Sequence, residues 1–241
     1  MAIAAVGSAA TYDSGSSNIT STTGQTVSIT PTAGNCLVVI YFARGSTSTT
    51  ATITTTGGTA TFTPQLAQLG NSTYLHIQTA VNIGSGITGV NVTPNVSARG
   101  DIWIREYSGV DATPMDVTAV GGALSNSSTL SPPSITPVTN GALVIASWAA
   151  TANFASSSPY PCATAGPTTH SGTKTGAGWT SEYNKWSNVG TNHGLVVGTN
   201  TVNDTSGAYQ ADWTPVLSAA AVGGAIALRP AANTSAFFTM F

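Results

Sequence analysis

Residues 100–110 constrain the fold of this chain more than any other stretch. In a strand, alternate side chains point to opposite faces, and here both faces carry large side chains. We therefore predict a central strand of packed β-sheets rather than an edge strand, ending at Ser108-Gly109. The two faces would carry Ile102, Ile104 and Glu106 on one side, and Trp103, Arg105 and Tyr107 on the other.

Other segments also have the pattern of strands. The run 37–42 is continuously apolar, which is typical of a strand buried on both faces. Gly57-Gly58 separates two alternating Thr-rich segments and predicts a hairpin. No segment has convincing helical periodicity. Further predicted strands cover residues 74–81, 87–93 and 224–228.

Short motifs recur along the chain. Ser-Ile-Thr-Pro stands at 28–31 and again at 134–137, each time before an apolar run, and residues 98–104 have a weaker echo at 221–227. The repetition predicts two related halves. Because residues 111–117 form only a turn and no linker, we expect the halves to share one core. The predicted fold class is all-β: a jelly-roll-like, two-sheet antiparallel β-sandwich built from two similar halves.

The predicted organisation is an N-terminal arm (1–24), a β-sandwich (25–231) with halves at about 25–113 and 114–231, and an apolar C-terminal tail (232–241). An apolar tail should not stay in water, so it either packs back on its own domain or docks on a neighbour. We predict docking on a partner. The side chains expected to dock are Phe237, Phe238, Met240 and Phe241.

Charge excludes several classes of protein. Charged residues make up 6% of the chain, against about 25% in typical soluble domains. With six Lys+Arg, eight Asp+Glu and a net charge of −2, the chain has no basic patch for nucleic acid. No apolar run reaches the roughly 18 residues that a membrane-spanning helix needs. The N-terminal segment also lacks the positively charged start of a secretion signal.

Neither a metal site nor a cofactor is predicted. Cys36 and Cys162 are either two free thiols or one bridge, and no CxxC or HxxxH spacing for zinc occurs. Asp101, Asp111 and Asp116 are candidates for calcium. Their spacing fits no EF-hand loop, however, and turn-forming aspartates account for these positions.

No catalytic constellation is predicted, and we do not expect an enzyme. The three histidines are scattered, and no nucleophile-elbow motif is present. His76 lies on an alternating strand, so we predict that its side chain is half-exposed on a sheet. His170 and His193 lie in loop-like sequence, so we predict that both side chains are exposed to solvent.

The chain has two glutamates, Glu106 and Glu182. Glycoside hydrolysis needs two carboxyl groups across a cleft, so these two would be the candidates for a glycan-cleaving enzyme. We favour a structural interpretation, because a carboxylate on an inward face needs a partner. The candidate partners of Glu106 are Arg44, Arg99 and Arg105.

Trp179, Tyr183 and Trp186 form the best candidate binding site. Aromatic side chains stack on sugar rings and also anchor protein contacts. If this segment is extended, Trp179 and Tyr183 should share one side. The cluster is therefore a surface-glycan site, a protein contact, or the anchor of a long loop on the sandwich.

Three motifs together resemble a known family. Ile-Arg-Glu-Tyr-Ser-Gly-Val-Asp at 104–111, Asn-Gly-Ala-Leu-Val-Ile at 140–145 and Ala-Ile-Ala-Leu-Arg-Pro at 225–230 are similar to the EYSGV-type β-sandwich modules of bacterial surface proteins and tailed-phage virion proteins. The resemblance covers roughly residues 25–231 and brings no catalytic motif.

This resemblance implies a structural role. Since no secretion signal or flanking module is evident, we expect a phage virion protein assembled in the host cytoplasm. It would be a capsid decoration (cement) protein or a head or tail accessory protein. Its expected partners are the major capsid or tail protein and further copies of itself. The alternative is a carbohydrate-binding module or adhesin, extracellular or at the cell surface.

Overall fold

The computed structural model describes residues 1–44, 50–70, 72–127, 133–151, 178–187, 193–211, 213 and 219–232. These residues form thirteen β-strands and contain no helix that is long and apolar enough to cross a membrane. In chain order the strands are β1 (Ala4–Asp13), β2 (Gln25–Ser28), β3 (Cys36–Arg44), β4 (Ala51–Gly57), β5 (Thr63–Gly70), β6 (Thr73–Ala80), β7 (Ile87–Pro94), β8 (Arg99–Ser108), β9 (Val110–Ser127), β10 (Leu143–Thr151), β11 (Thr180–Ser187), β12 (His193–Thr201) and β13 (Ala219–Pro230).

The described strands pair antiparallel in three sheets. The first sheet has the order β1-β8-β3-β6-β5, the second sheet β11-β12-β10-β13-β9, and the small sheet β2-β7-β4. The prediction of an all-β antiparallel sandwich is confirmed. The sequence predicted two sheets, and the structure adds the small sheet as a further layer.

Strand β8 is central, as its bulky residues predict. It lies between β1 and β3 in the first sheet. Ile102 and Ile104 pack between the first sheet and the small sheet, whereas Trp103 and Tyr107 pack between the two large sheets. All four side chains are buried, so both faces of β8 are covered by another layer.

Three apolar cores stack across the molecule. The outer core lies between the small sheet and the first sheet, and the central core lies between the first and second sheets. A third core covers the remaining face of the second sheet. The middle strands β3 and β10 are buried on both faces, which explains why nearly all of their residues are apolar. The third core includes residues outside the strands, among them Ile135, Val202, Tyr209 and Trp213.

The two large sheets have the same strand order. The middle strand β3 lies between β8 and β6, and the middle strand β10 lies between β13 and β12. Outside these, β1 and β5 flank the first sheet as β9 and β11 flank the second. The chain passes from one sheet to the other at Gly109, which has a φ of 73°.

The segment predicted as an N-terminal arm contributes to the first sheet. Residues Ala4–Asp13 form β1, which pairs with β8. Ile19 then bridges Ala98. These residues therefore belong to the first half of the sandwich.

The predicted hairpin at Gly57-Gly58 is wrong. Strand β4 pairs with β7 and strand β5 pairs with β6, so the chain crosses here from the small sheet to the first sheet. Gly57 has a φ of 84°, and a Cβ at Gly58 would collide with the backbone of Ser85. The two glycines thus permit a close approach to another loop rather than a two-residue turn.

The two large sheets also meet at their edges. Strand β5 lies against β9, where the side chain of Ala123 occupies the space that a Cβ at Gly70 would need. At the opposite edge, β1 and β8 approach β11 and β12 through polar side chains. This polar edge contains the candidate site.

Candidate functional site

Five polar side chains meet at the polar edge, and we name them the interface cluster: Asp13, Asp101, Tyr183, Lys185 and His193. Asp13 ends β1 and lies opposite Asp101 of β8. Tyr183 and Lys185 belong to β11, and His193 begins β12. The cluster therefore combines residues from both large sheets.

His193 lies between the two carboxyl groups. Its Nε2 is 3.4 Å from Oδ1 of Asp13 and 3.6 Å from Oδ1 of Asp101. The ammonium group of Lys185 is 3.3 Å from Oδ2 of Asp13. The side chain of His193 is fully buried beside the ring of Phe42, with ring centroids 6.0 Å apart, whereas that of Lys185 is 51% exposed. Solvent thus reaches the cluster from the lysine side.

The two carboxyl groups have opposite pKa shifts. Burial raises the pKa of Asp101, and the interaction with His193 offsets this only in part. Burial on its own would raise the pKa of Asp13 as well. Its interactions with His193, the N–H of Gly15 and the charge of Lys185 outweigh burial and hold the pKa of Asp13 well below its usual range. Asp13 is therefore the well-compensated carboxylate, and Asp101 is the poorly compensated one.

The cluster also has the donor atoms of a metal site. One ligand atom from each of Asp13, Asp101 and His193 lies within 4.8 Å of the others, the one such group among the described residues. The calcium candidates Asp101, Asp111 and Asp116 do not come together. Asp111 accepts a hydrogen bond from the N–H of Thr113 within β9, and Asp116 lies in a separate ion pair.

The histidine predictions are wrong where the structure describes them. His193 begins a strand instead of lying in a solvated loop, and His76 is 3% exposed instead of half-exposed. Alternation identifies the strand that carries His76, but the small sheet covers that face. The ring of Tyr74 lies 5.5 Å from that of His76, and burial lowers the pKa of His76 to about 4. His170 lies outside the described residues.

The two glutamates lie on opposite faces of the first sheet. Oε1 of Glu106 accepts hydrogen bonds from the N–H of Thr32 at 3.0 Å and from Nδ2 of Asn35 at 2.5 Å. Glu182 lies between the large sheets, 3.7 Å from the guanidinium of Arg105. The structure therefore does not bring the two carboxyl groups together across a cleft.

The prediction that Glu106 pairs with an arginine is wrong. Arg105 is on the opposite face of β8 and pairs with Glu182. Arg44 and Arg99 lie opposite each other at the far end of β3 and β8. They are seven residues from the level of Glu106, which is about 23 Å along a strand.

A cavity of about 360 Å³ lies beside Glu106. It is lined by residues 6–10, where a bulge interrupts the pairing of β1 with β8, and by residues 28–30. Ser8, Ser28 and Thr30 give this cavity a hydroxyl-rich lining.

Asp116 is a buried carboxylate of the second half that accepts hydrogen bonds from backbone groups, as Glu106 does in the first half. Asp116 accepts hydrogen bonds from the N–H groups of Val138 at 2.6 Å and Thr139 at 3.1 Å, after the second Ser-Ile-Thr-Pro motif. Arg229 lies 3.7 Å from this carboxylate. Glu106 and Asp116 therefore each accept hydrogen bonds from the segment that follows the Ser-Ile-Thr-Pro motif of their own half.

A β-bulge separates the aromatic residues of the predicted binding site. The pairing of β11 with β12 shifts between Ser181 and Tyr183, which changes the side to which later residues point. Trp179 packs against the third core, whereas Tyr183 packs against the central core. They do not share one surface, although the segment is extended. The backbone of Trp186 pairs with Gly194, and its side chain lies outside what the structure describes.

The first residue lies beside the end of β13. The amino group of Met1 donates a hydrogen bond to the carbonyl oxygen of Ala231 at 2.6 Å, and the N–H of Ala231 donates to the carbonyl oxygen of Gly109 at 2.8 Å. We name Met1, Gly109 and Ala231 the terminal junction. The predicted docking residues that follow it, Phe237, Phe238, Met240 and Phe241, lie outside the described residues.

Cys36 is buried in the central core. Burial raises the pKa of its thiol to about 12, because the thiolate is disfavoured away from water. Cys162, the possible bridge partner predicted from sequence, lies outside the described residues.

Sequence reasoning missed Asp13, Lys185 and His193 as members of a site. Asp13 and His193 stand beside small turn-like residues, and no fixed spacing links them because they are joined only by the packing of two sheets. Comparison with protein-family models, curated proteins and solved structures found no match.

Proposed function

We propose that this protein is a structural component of a tailed-phage virion: a capsid decoration protein, or a head or tail accessory protein, that binds and stabilises the particle surface. The observation that carries the proposal is the terminal junction. Its hydrogen bonds hold Ala231 against the body of the protein. The tail after it, 232–241, therefore starts from a fixed point at one end of the sandwich.

The distribution of charge supports a structural role. Asp101, Glu106 and Asp116 are buried, and Arg105 pairs with Glu182 between the sheets. Exposed positions of β4, in contrast, are Thr residues and a Gly. Such a surface offers little long-range electrostatic attraction to a charged partner. Attachment must then come mainly from apolar burial.

The tail supplies that apolar surface. Burying a large apolar side chain contributes about 2 kcal/mol, so the four docking side chains supply roughly 8 kcal/mol before the entropic costs of binding. Several copies bound to one lattice would add avidity. The proposed mechanism is therefore a weakly charged β-body fixed to the particle by an apolar peptide.

The test is attachment to phage particles assembled without the protein. We would measure bound copies per particle by co-sedimentation for the wild type, for a chain lacking 233–241 and for the double variant Phe237→Ser/Phe238→Ser. The double variant should bind at least about 100-fold more weakly, because it forfeits roughly 3–6 kcal/mol of burial.

Val138→Ser is the matched control. Val138 is an exposed apolar side chain on the body, so its replacement should leave attachment unchanged. All variants should keep the wild-type circular dichroism spectrum and melting temperature. Wild-type occupancy by the chain without 233–241 would refute docking through the tail, and failure of the wild type to bind would refute the virion role.

A further inference from the structure

The distances between His193 and the two carboxyl groups of the interface cluster fit a shared cation at least as well as they fit direct hydrogen bonds. Nε2 of His193 is 3.4 and 3.6 Å from the two Oδ1 atoms, beyond the upper limit of about 3.2 Å for a good N–H···O hydrogen bond. Ligands at about 2.1 Å from a tetrahedral ion are separated by about 3.4 Å. Both separations from Nε2 therefore match that of adjacent ligands around one ion, and one ligand atom from each of the three residues lies within 4.8 Å of the others.

A second observation concerns Asp101 alone. Its side chain is 2% exposed, and its Oδ1 is buried with no hydrogen-bond donor among the described residues. A buried carboxylate oxygen without a donor is costly. Lys185 relieves this cost only in part, because its charge acts on Asp101 from a distance while its ammonium group contacts Oδ2 of Asp13. Oδ1 of Asp101 is the atom that a cation would satisfy.

We propose that Asp13, Asp101 and His193 bind one divalent cation of the zinc class, which joins the first sheet to the second. An imidazole with two carboxylates suits zinc, whereas calcium prefers six to eight oxygen ligands. The bound ion is structural, since its ligands come from β1, β8 and β12 and lie in the interface between the sheets.

Tyr183 and Lys185 complete the surroundings of the ion. The hydroxyl of Tyr183 is buried and has no hydrogen-bond partner among the described residues. Burial raises its pKa, and the nearby charges of Asp101 and Asp13 raise it further. This phenol or a water molecule fills the fourth position. Lys185 keeps its contact with Oδ2 of Asp13, since only Oδ1 is needed for the ion.

Zinc content and thermal stability test the proposal. The purified full chain would be equilibrated with micromolar Zn²⁺, desalted and analysed by elemental mass spectrometry, with melting followed with and without EDTA. The wild type should retain about one zinc ion per chain and melt several degrees lower in EDTA. Asp101→Asn and His193→Gln should each lose the ion and the EDTA effect.

Asp116→Asn is the matched control, because Asp116 is also a buried carboxylate but lies in a different ion pair. It should keep the zinc. If a cluster variant fails to fold, the visible absorption of Co²⁺ added to the wild type is measured instead. A tetrahedral site of nitrogen and oxygen ligands should give visible ligand-field absorption. Absence of that absorption, a wild type without zinc, or full zinc retention in folded Asp101→Asn and His193→Gln would each overturn the proposal.

Discussion

Replacing Glu106 by alanine should lower the free energy of unfolding by about 3 kcal/mol. The side chain accepts two hydrogen bonds, from the N–H of Thr32 and the amide of Asn35, and alanine removes both. A hydrogen bond to a charged group contributes about 1.5–3 kcal/mol. We use the low end for each, because the neighbouring cavity can admit water to the freed donors.

Glu106→Gln separates charge from hydrogen bonding at the same position. Glutamine keeps an acceptor oxygen at the place of Oε1 but loses the charge, so it should cost about 1 kcal/mol. Asp111→Ala is the control, since Asp111 accepts a single exposed hydrogen bond within β9, and its replacement should cost at most about 0.5 kcal/mol.

Urea unfolding followed by tryptophan fluorescence measures these differences, because Trp103, Trp148 and Trp213 are buried and report on the cores. The midpoint should shift while the slope with urea stays constant. The reasoning is refuted if Glu106→Ala unfolds within about 0.5 kcal/mol of the wild type, or if Glu106→Gln is as unstable as Glu106→Ala.

Two further predictions concern packing and pH. Gly100→Ala should lower the free energy of unfolding by about 3 kcal/mol or more, because the new Cβ would collide with the carbonyl oxygen of Phe42. Gly122→Ala is the control: its Cβ would approach only the ring of Pro133, so it should cost less than about 1 kcal/mol in the same urea assay. The buried His76 has a pKa of about 4, below the usual 6.5. The unfolded chain therefore takes up a proton first, and stability present above pH 6.5 is lost as the pH falls towards 4, by about 3 kcal/mol. Unfolding curves of His76→Gln from pH 7 to pH 4 should lack this loss, and an equal acid sensitivity in the variant would contradict the assignment.

Much of the fold follows from local pattern. The apolar run 37–42 and the bulky stretch 100–110 become β3 and β8, because covered strands carry large side chains on both faces. Pairing partners do not follow in the same way. The glycines at 57–58 have the local signature of a hairpin, yet the neighbouring strands join different sheets. Local sequence specifies that a turn occurs but not which strand lies beside the next one.

The interface cluster shows the same limit more strongly. Asp13 and His193 are 180 residues apart in sequence and lie within 3.4 Å only because the edges of two sheets meet. The aromatic residues fail for another reason. A single bulged residue near Glu182 puts Trp179 and Tyr183 in different cores, and no feature of a single sequence marks where such a bulge forms.

The common strand order of the large sheets has a consequence for symmetry. At one edge of the molecule β1 approaches β11, and at the other edge β5 approaches β9. By its position in the strand order, β9 of the second sheet corresponds to β1 of the first, and β11 corresponds to β5. A rotation by half a turn therefore exchanges the two edge contacts, as in an isologous dimer. Because one chain carries both halves, this association does not depend on protein concentration. The two edge contacts nevertheless differ in chemistry: one joins the charged side chains of Asp13 and Lys185, and the other is a close approach of Gly70 and Ala123.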